Sequence, residues 1–479
     1  MKISSVRLGH ANNSSSTHSI ILNSKSGPVP SESGDFQYGW DWFHLTTRDD
    51  KSKYLAAMIH GILSQEMGSA HAAIVARELT GANILEHVMA KDGDGYERSA
   101  YVDHQSVPGF PRSYESVRYG HKGHYDHDFM REMVDYVLSN PKITIHGGND
   151  NTDEDEKNAN DVGGKALLTE LNYDVGSNHP LICRKDGDWW ILYNRESGAK
   201  IRLSFKENPK IHFPKGRPEL VDIKITDYCP YGCKFCYQSS TKEGKHADFK
   251  RIEGLAWALQ DARVFEVALG GGETTSHPDF AKILESFHNN GVTPNFTTFN
   301  LSWMEDEAKV AAVKKYCRSF AVSSIQDLRS IAWWIENEVK SPSDVRPTLQ
   351  IPLGCYKKDE LTGKLAAAHE LGIDVTFLGY KNHGRGEVFK PEAYDWIIDW
   401  LAEQPQWNRF GADSVFVDQF KDRLKEKGVS EKLMVNKEGM YSCYIDAVNL
   451  QMGASSYTKE LHDVPADQKA LFCKFPYAG

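Results

Sequence analysis

The chain has 479 residues, 40% of them hydrophobic and 25% charged, with 56 basic against 66 acidic side chains and a formal net charge of -10. This length predicts two or three domains, and the acidic balance argues against broad binding to a nucleic-acid backbone, which draws on lysine and arginine. No apolar run approaches the ~20 residues that span a bilayer, and the first residues lack the apolar core of a signal peptide, so a cytoplasmic location with no membrane partner is expected.

Residues 1–215 are expected to form an α+β N-terminal domain that recognises substrate or a partner, or that serves as scaffold. The serine-rich run Asn12–Ser16 reads as a loop. Helical periodicity appears over 51–66 and 127–139. Between them, HKGHYDHDF sets His121, His124 and His127 beside Asp126 and Asp128. Such side chains can ligate metal. However, Gly120 and Gly123 argue against a helix there, and Asp126 reads as the N-cap of the helix that follows, so a polar loop and cap is expected. ITIHGGND (143–150) could offer backbone amides to a phosphate, but it lacks the lysine and Ser/Thr that complete a Walker motif. The acidic run 149–161 reads as a solvated loop, and 181–205 as a β-meander.

From 216 the pattern changes to alternating short strands and helices. Predicted strands are LVDIKIT (220–226), VFEVAL (264–269), TPNFTTF (293–299), SFAVSSI (319–325), PTLQIPL (347–353) and DVTFLGY (374–380). Helical segments fall between them, with Pro278 and Gly372 as punctuation. This alternation predicts a parallel sheet. The first strand leads into CPYGCKFCYQ, which spaces Cys229, Cys233 and Cys236 as C-x₃-C-x₂-C. Three close thiolates suit an iron–sulfur cluster. Structural zinc is the alternative, with a residue such as His246 as fourth ligand, giving a zinc-stabilised binding protein without redox chemistry. Disulfides fit poorly with 8 cysteines in a chain without a secretory leader.

The second strand ends in GGGE, residues 270–273. Cysteine array and glycine run together resemble the radical S-adenosylmethionine (radical SAM) enzymes. The resemblance implies a partial (β/α)₆ TIM-like barrel over 216–410, with ligands at the C-terminal ends of its strands. It implies that Cys229, Cys233 and Cys236 hold three irons of a [4Fe–4S] cluster, and that S-adenosyl-L-methionine (SAM) chelates the fourth. Gly271, Gly272 and Glu273 match the motif that contacts the methionine amino group, although Thr274 stands where proline is common. Phe235 matches an aromatic near the adenine, and Ser323 and Ser324 a polar position near the ribose or carboxylate.

Thr297, Thr298, Asn300, Gln350, Tyr380, Lys381 and His383 are further candidates at the barrel mouth, and Arg385, among glycines, could grip a carboxylate or phosphate. The segment 411–479 is expected to cover the mouth, with SVFVDQF (414–420) read as a strand. Cys317 and Cys355 are expected to be core thiols, and Cys443 and Cys473 are too few to favour an auxiliary cluster. The implied activity is reductive cleavage of SAM to a 5′-deoxyadenosyl radical that abstracts hydrogen from a substrate. Implied partners are a reductant such as flavodoxin or ferredoxin, and a peptide, protein, nucleotide or nucleoside substrate.

Overall fold

The computed structural model describes residues 2–7, 17–21, 36–38, 43–45, 47–89, 100–102, 111–114, 124–140, 143, 145–147, 181–210, 216–341, 344–404, 409–434, 438–467, 470–473 and 475–477. The runs Asn12–Ser16 and 149–161, and His121, lie outside the described residues.

Each of the six expected strands forms, and each is followed by a helix. They are β1 (Leu220–Thr226), α1 (Phe249–Asp261), β2 (Glu266–Gly271), α2 (Phe280–Asn289), β3 (Thr293–Thr298), α3 (Glu307–Tyr316), β4 (Ser319–Val322), α4 (Leu328–Glu338), β5 (Arg346–Pro352), α5 (Lys358–Glu370), β6 (Asp374–Leu378) and α6 (Ile397–Ala402). The parallel array extends past six. β7 (Arg409–Asp413) joins β6, and β8 (Ser442–Asp446) joins the other edge beside β1. Eight parallel strands therefore run in the order β7-β6-β5-β4-β3-β2-β1-β8 among the described residues. Thr17–Ile21 adds antiparallel to β7, and Gln451–Gly453 and Leu461–Asp463 continue antiparallel from β8.

LVDIKIT alternates apolar and polar residues, the pattern of a strand with one wet face. Yet all of β1 is buried. Val221, Ile223 and Ile225 pack into the core formed with the helices. Asp222 and Lys224 point the other way, into a polar sheet interior. Lys224 pairs there with Asp227 at 2.6 Å and with Asp446 of β8 at 2.8 Å, which ties the chain's late strand to its first barrel strand.

SVFVDQF is not a strand. It opens the helix α7 (Ser414–Glu426), whose Asp413 N-cap accepts a hydrogen bond from the Phe416 amide at 2.8 Å. The competing signal is the longer one: Phe416, Val417, Phe420 and Leu424 repeat at helical spacing and are buried together. The expected boundary at 410 falls inside β7, and the segment after it shares the barrel core.

The earlier part of the chain has its own core, in which the helices Arg48–Met67, Ser69–Thr80 and His127–Ser139 pack on a sheet. Asp126 caps the last of these helices, accepting from the Phe129 amide at 2.9 Å. Leu181–Asp186, Trp189–Asn194 and Lys200–Ser204 form the expected antiparallel meander in that sheet. The other face of the sheet places Ile182, Ile191 and Tyr193 against Phe265. The Tyr114 hydroxyl donates to the Val264 carbonyl at 2.6 Å, and Arg195 to that of Gly291 at 2.6 Å. Those carbonyls precede β2 and β3, so this sheet supports the N-terminal ends of the barrel strands. A buried ionic joint reinforces the docking. Arg202 and Lys200 both pair with Glu219, and the Arg202 guanidinium lies 3.9 Å over the Tyr441 ring.

Candidate active site

The opposite end of the strands carries the cysteine loop. β1 ends at Thr226, and the cysteine loop is laid across the tip of β2 by backbone hydrogen bonds. Gly272 N–H donates to the Thr226 carbonyl at 2.7 Å and Glu273 N–H to that of Tyr228 at 2.7 Å. The approach is too close for a side chain. A Cβ on Gly271 would lie 2.3 Å from Thr226 O, and one on Gly272 would lie 2.1 Å from Tyr228 O. The glycines are thus required first by the cysteine loop itself.

Glu273 is 3% exposed. Its Oε1 accepts from the Thr275 hydroxyl at 2.6 Å, the Thr275 amide at 3.2 Å and the Thr298 hydroxyl at 2.7 Å. Its Oε2 accepts from the Phe299 amide at 2.8 Å. The carboxylate therefore joins the ends of β2 and β3, and Thr298 acts through it.

Arg385 closes the loop from the other side. Its Nε donates to the Cys233 carbonyl at 2.9 Å and its Nη1 to the Ser240 carbonyl at 3.0 Å. Its own amide donates to the Cys236 carbonyl at 3.0 Å. Two guanidinium nitrogens are committed to the cysteine loop, and the buried Nη2 has no hydrogen-bond partner among the described residues.

One cavity at this end is lined by Cys229, Cys233, Cys236, Phe235, Gly271, Gly272, Glu273, Thr297, Thr298, Ser323, Gln350, Tyr380 and Lys381. Phe235 stands edge-on to Phe389 at 5.7 Å and Tyr356 at 6.5 Å. Ser323 lines the cavity, whereas the Ser324 hydroxyl is turned to the Gln326 amide. Asn300 meets Tyr231 at 3.1 Å, and His383 faces Glu387 at 3.8 Å. Cys355 corrects an expectation: it lines this cavity instead of the core, while Cys317 is fully buried. Its place just after β5 was the signal. Tyr237 and Ser240 also line the cavity and were not singled out from the sequence.

His246 offers Nδ1 to the Thr226 hydroxyl at 2.8 Å. Among the described residues no three His, Cys, Asp or Glu side chains converge as a single-ion site. His124 is exposed, and Asp126 is spent on its helix cap.

The donor set fits a sulfur-ligated cluster. Three thiols share one cavity wall, and two buried hydroxyls on that wall, Ser240 and Thr274, have no hydrogen-bond partner among the described residues. Burial pushes the Cys229 and Cys233 thiols up. Metal ligation requires thiolates, so loading the site releases protons.

A family model described as the radical SAM superfamily matches residues 223–346. GTP 3′,8-cyclase of Haemophilus influenzae is 25% identical over 228 residues, which cover 45% of this chain and 60% of that protein. The chain thus spans less than two thirds of this curated relative. Streptococcus suis SuiB bound to S-adenosylmethionine overlaps 61% of this chain and 87% of its own, at 12% identity and a TM-score of 0.41. BtrN in complex with AdoMet and 2-DOIA overlaps 27% of this chain and 56% of its own, at 13% identity and a TM-score of 0.22. Neither overlap is close enough to carry a substrate across.

Proposed function

Because the chain belongs to the radical SAM superfamily, we propose that it is an enzyme in which Cys229, Cys233 and Cys236 hold a [4Fe–4S] cluster beside SAM. When bound, that pair supplies reductive cleavage of SAM to a 5′-deoxyadenosyl radical, which takes hydrogen from a substrate carbon. The observation that carries the reading is the convergence of all three cysteines and the Gly270–Gly272 backbone on one cavity.

The chain's own groups then have defined work. Gly271 and Gly272 let the cysteine loop sit on β2, and Arg385 holds the carbonyls of Cys233 and Ser240. Glu273 fixes the ends of β2 and β3. Phe235, Ser323 and Gln350 form the wall on which SAM is oriented. The electron comes from a small reductant such as flavodoxin or ferredoxin, and the protein works in the cytoplasm. No helix among the described residues is long and apolar enough to cross a membrane. The substrate is a peptide or protein, or a nucleotide or nucleoside. The competing reading is a zinc-stabilised binding protein without redox chemistry.

The test is anaerobic incubation with SAM and dithionite, with 5′-deoxyadenosine as the readout. Wild type should form it, and alanine at Cys229, Cys233 or Cys236 should reduce it by at least about a hundredfold, on the order of 3 kcal/mol in barrier terms. Near-normal formation by any of the three variants would defeat the assignment.

A further inference from the structure

Behind Lys381 lies a second group of ionisable side chains, on the inner face of the sheet. Asp222 projects there from β1 and is 2% exposed, and its Oδ1 has no hydrogen-bond partner among the described residues. Glu438, just ahead of β8, takes the Ser414 hydroxyl on Oε1 and leaves its buried Oε2 without a partner. Asp413 ends β7. Its Oδ1 accepts from the amides of Gly379 and Phe416, and its Oδ2 lies 3.7 Å from Lys381 Nζ. The rings of Tyr237 and Tyr457 flank the same ammonium at 4.7 and 5.3 Å.

Asp413 thus meets the Lys381 ammonium directly, and Asp222 and Glu438 lie near enough to act on it electrostatically. Lys381 and Tyr237 are also part of the cavity wall that holds the three cysteines. Negative charge in excess is costly in a buried site unless a cation or a proton balances it.

We infer that this cluster receives a positively charged group of the substrate, a primary ammonium or a guanidinium, presented from the cavity that Lys381 and Tyr237 line. The inference rests on the radical SAM reading for the identity of that cavity, and it narrows the substrate class. Such a group carries the donors that Asp222 Oδ1 and Glu438 Oε2 lack. Its charge replaces the protons that these acids otherwise keep. An anionic group would meet three carboxyls and one ammonium already set against Asp413.

The protonation states agree. Burial pushes Asp222 well up, with Glu438 and Glu266 adding to the rise and Lys381 opposing it. Burial pushes Glu438 to about 8; Asp413 adds to this, while Lys381 and the Tyr457 hydroxyl oppose it. Burial would lower Lys381, but Tyr237, Asp413, Glu438 and Asp222 outweigh it and keep it charged. An incoming cation draws the carboxyls down and releases their protons.

The experiment is anaerobic titration calorimetry on the full chain, reconstituted with iron and sulfide and saturated with SAM. The probes are Nα-acetyl-lysinamide, its neutral isostere Nα-acetyl-norleucinamide, and the amide of Nα-acetyl-glutamate. The lysine compound should bind at least about tenfold tighter than either of the others. Repeating the titration near pH 7 in buffers of different ionisation heat should reveal proton release. In Glu438→Gln that release should fall by roughly one proton. The wild-type comparison stands even if this variant folds poorly. Equal binding of the norleucine compound, tighter binding of the glutamate compound, or no binding of the lysine compound up to about 10 mM would overturn the inference. Iron content and SAM cleavage are measured on the same batch. Protein that cleaves SAM yet shows no preference for the cation defeats the inference alone; protein that holds no cluster defeats the reading beneath it.

Discussion

Gly272 has no room for a methyl group, because the position a Cβ would take lies 2.1 Å from the Tyr228 carbonyl. Gly272→Ala must therefore push the cysteine loop off β2. The expected result is folded protein with a loss of most of its iron, read by iron analysis beside far-UV circular dichroism. Full iron occupancy would mean that the loop yields without cost. Arg385→Lys is expected to act more mildly. It removes the fork that spans the carbonyls of Cys233 and Ser240. Losing one such charge-assisted bond is worth about 1.5–3 kcal/mol, so iron loss to a chelator should quicken by roughly tenfold or more. An unchanged rate would show that Arg385 does not brace the loop. At this scale the chain was partly legible. The three cysteines and the glycines announced themselves by spacing. Asp222 and Glu438 did not, because each is a single common residue whose meaning comes from strands far apart in sequence.

The joint between the front sheet and the barrel is the element-scale feature most open to measurement. Burial alone would raise the Glu219 carboxyl, but Arg202 and Lys200 outweigh it and hold it at about 2. A folded value below the unfolded one stabilises the protein above the ordinary glutamate range near ~4.3. That stabilisation fades as pH falls through about 2. Glu219→Gln leaves Arg202 buried without its partner and is expected to cost about 3–5 kcal/mol at neutral pH. Urea midpoints of wild type and variant should differ clearly at pH ~7, draw together below about pH 4 and meet only near about pH 2. A gap that persists undiminished in acid would contradict the electrostatic account. The six barrel strands could be read from sequence because strand and helix lengths alternate and Gly or Pro punctuates them. The seventh and eighth could not. β7 adjoins a helix whose first residues imitate a strand, and β8 pairs in parallel with β1, a strand far earlier in the chain.

For the whole molecule, the two ends of the barrel strands have separate duties. The front sheet grips the N-terminal ends through Phe265, Val264 and Gly291. The C-terminal ends hold the cavity, and the segment after β7 contributes Glu438 and Tyr457 to the wall behind it. The central claim is a cluster held by three thiolates, and it is tested most directly by the metal itself. Wild type and the three single cysteine-to-alanine variants should be prepared without air and analysed for iron, sulfide and zinc. The account predicts a brown wild type with about four irons and four sulfides per chain and little zinc, and variants that lose most of both. A colourless wild type carrying about one zinc per chain would contradict it.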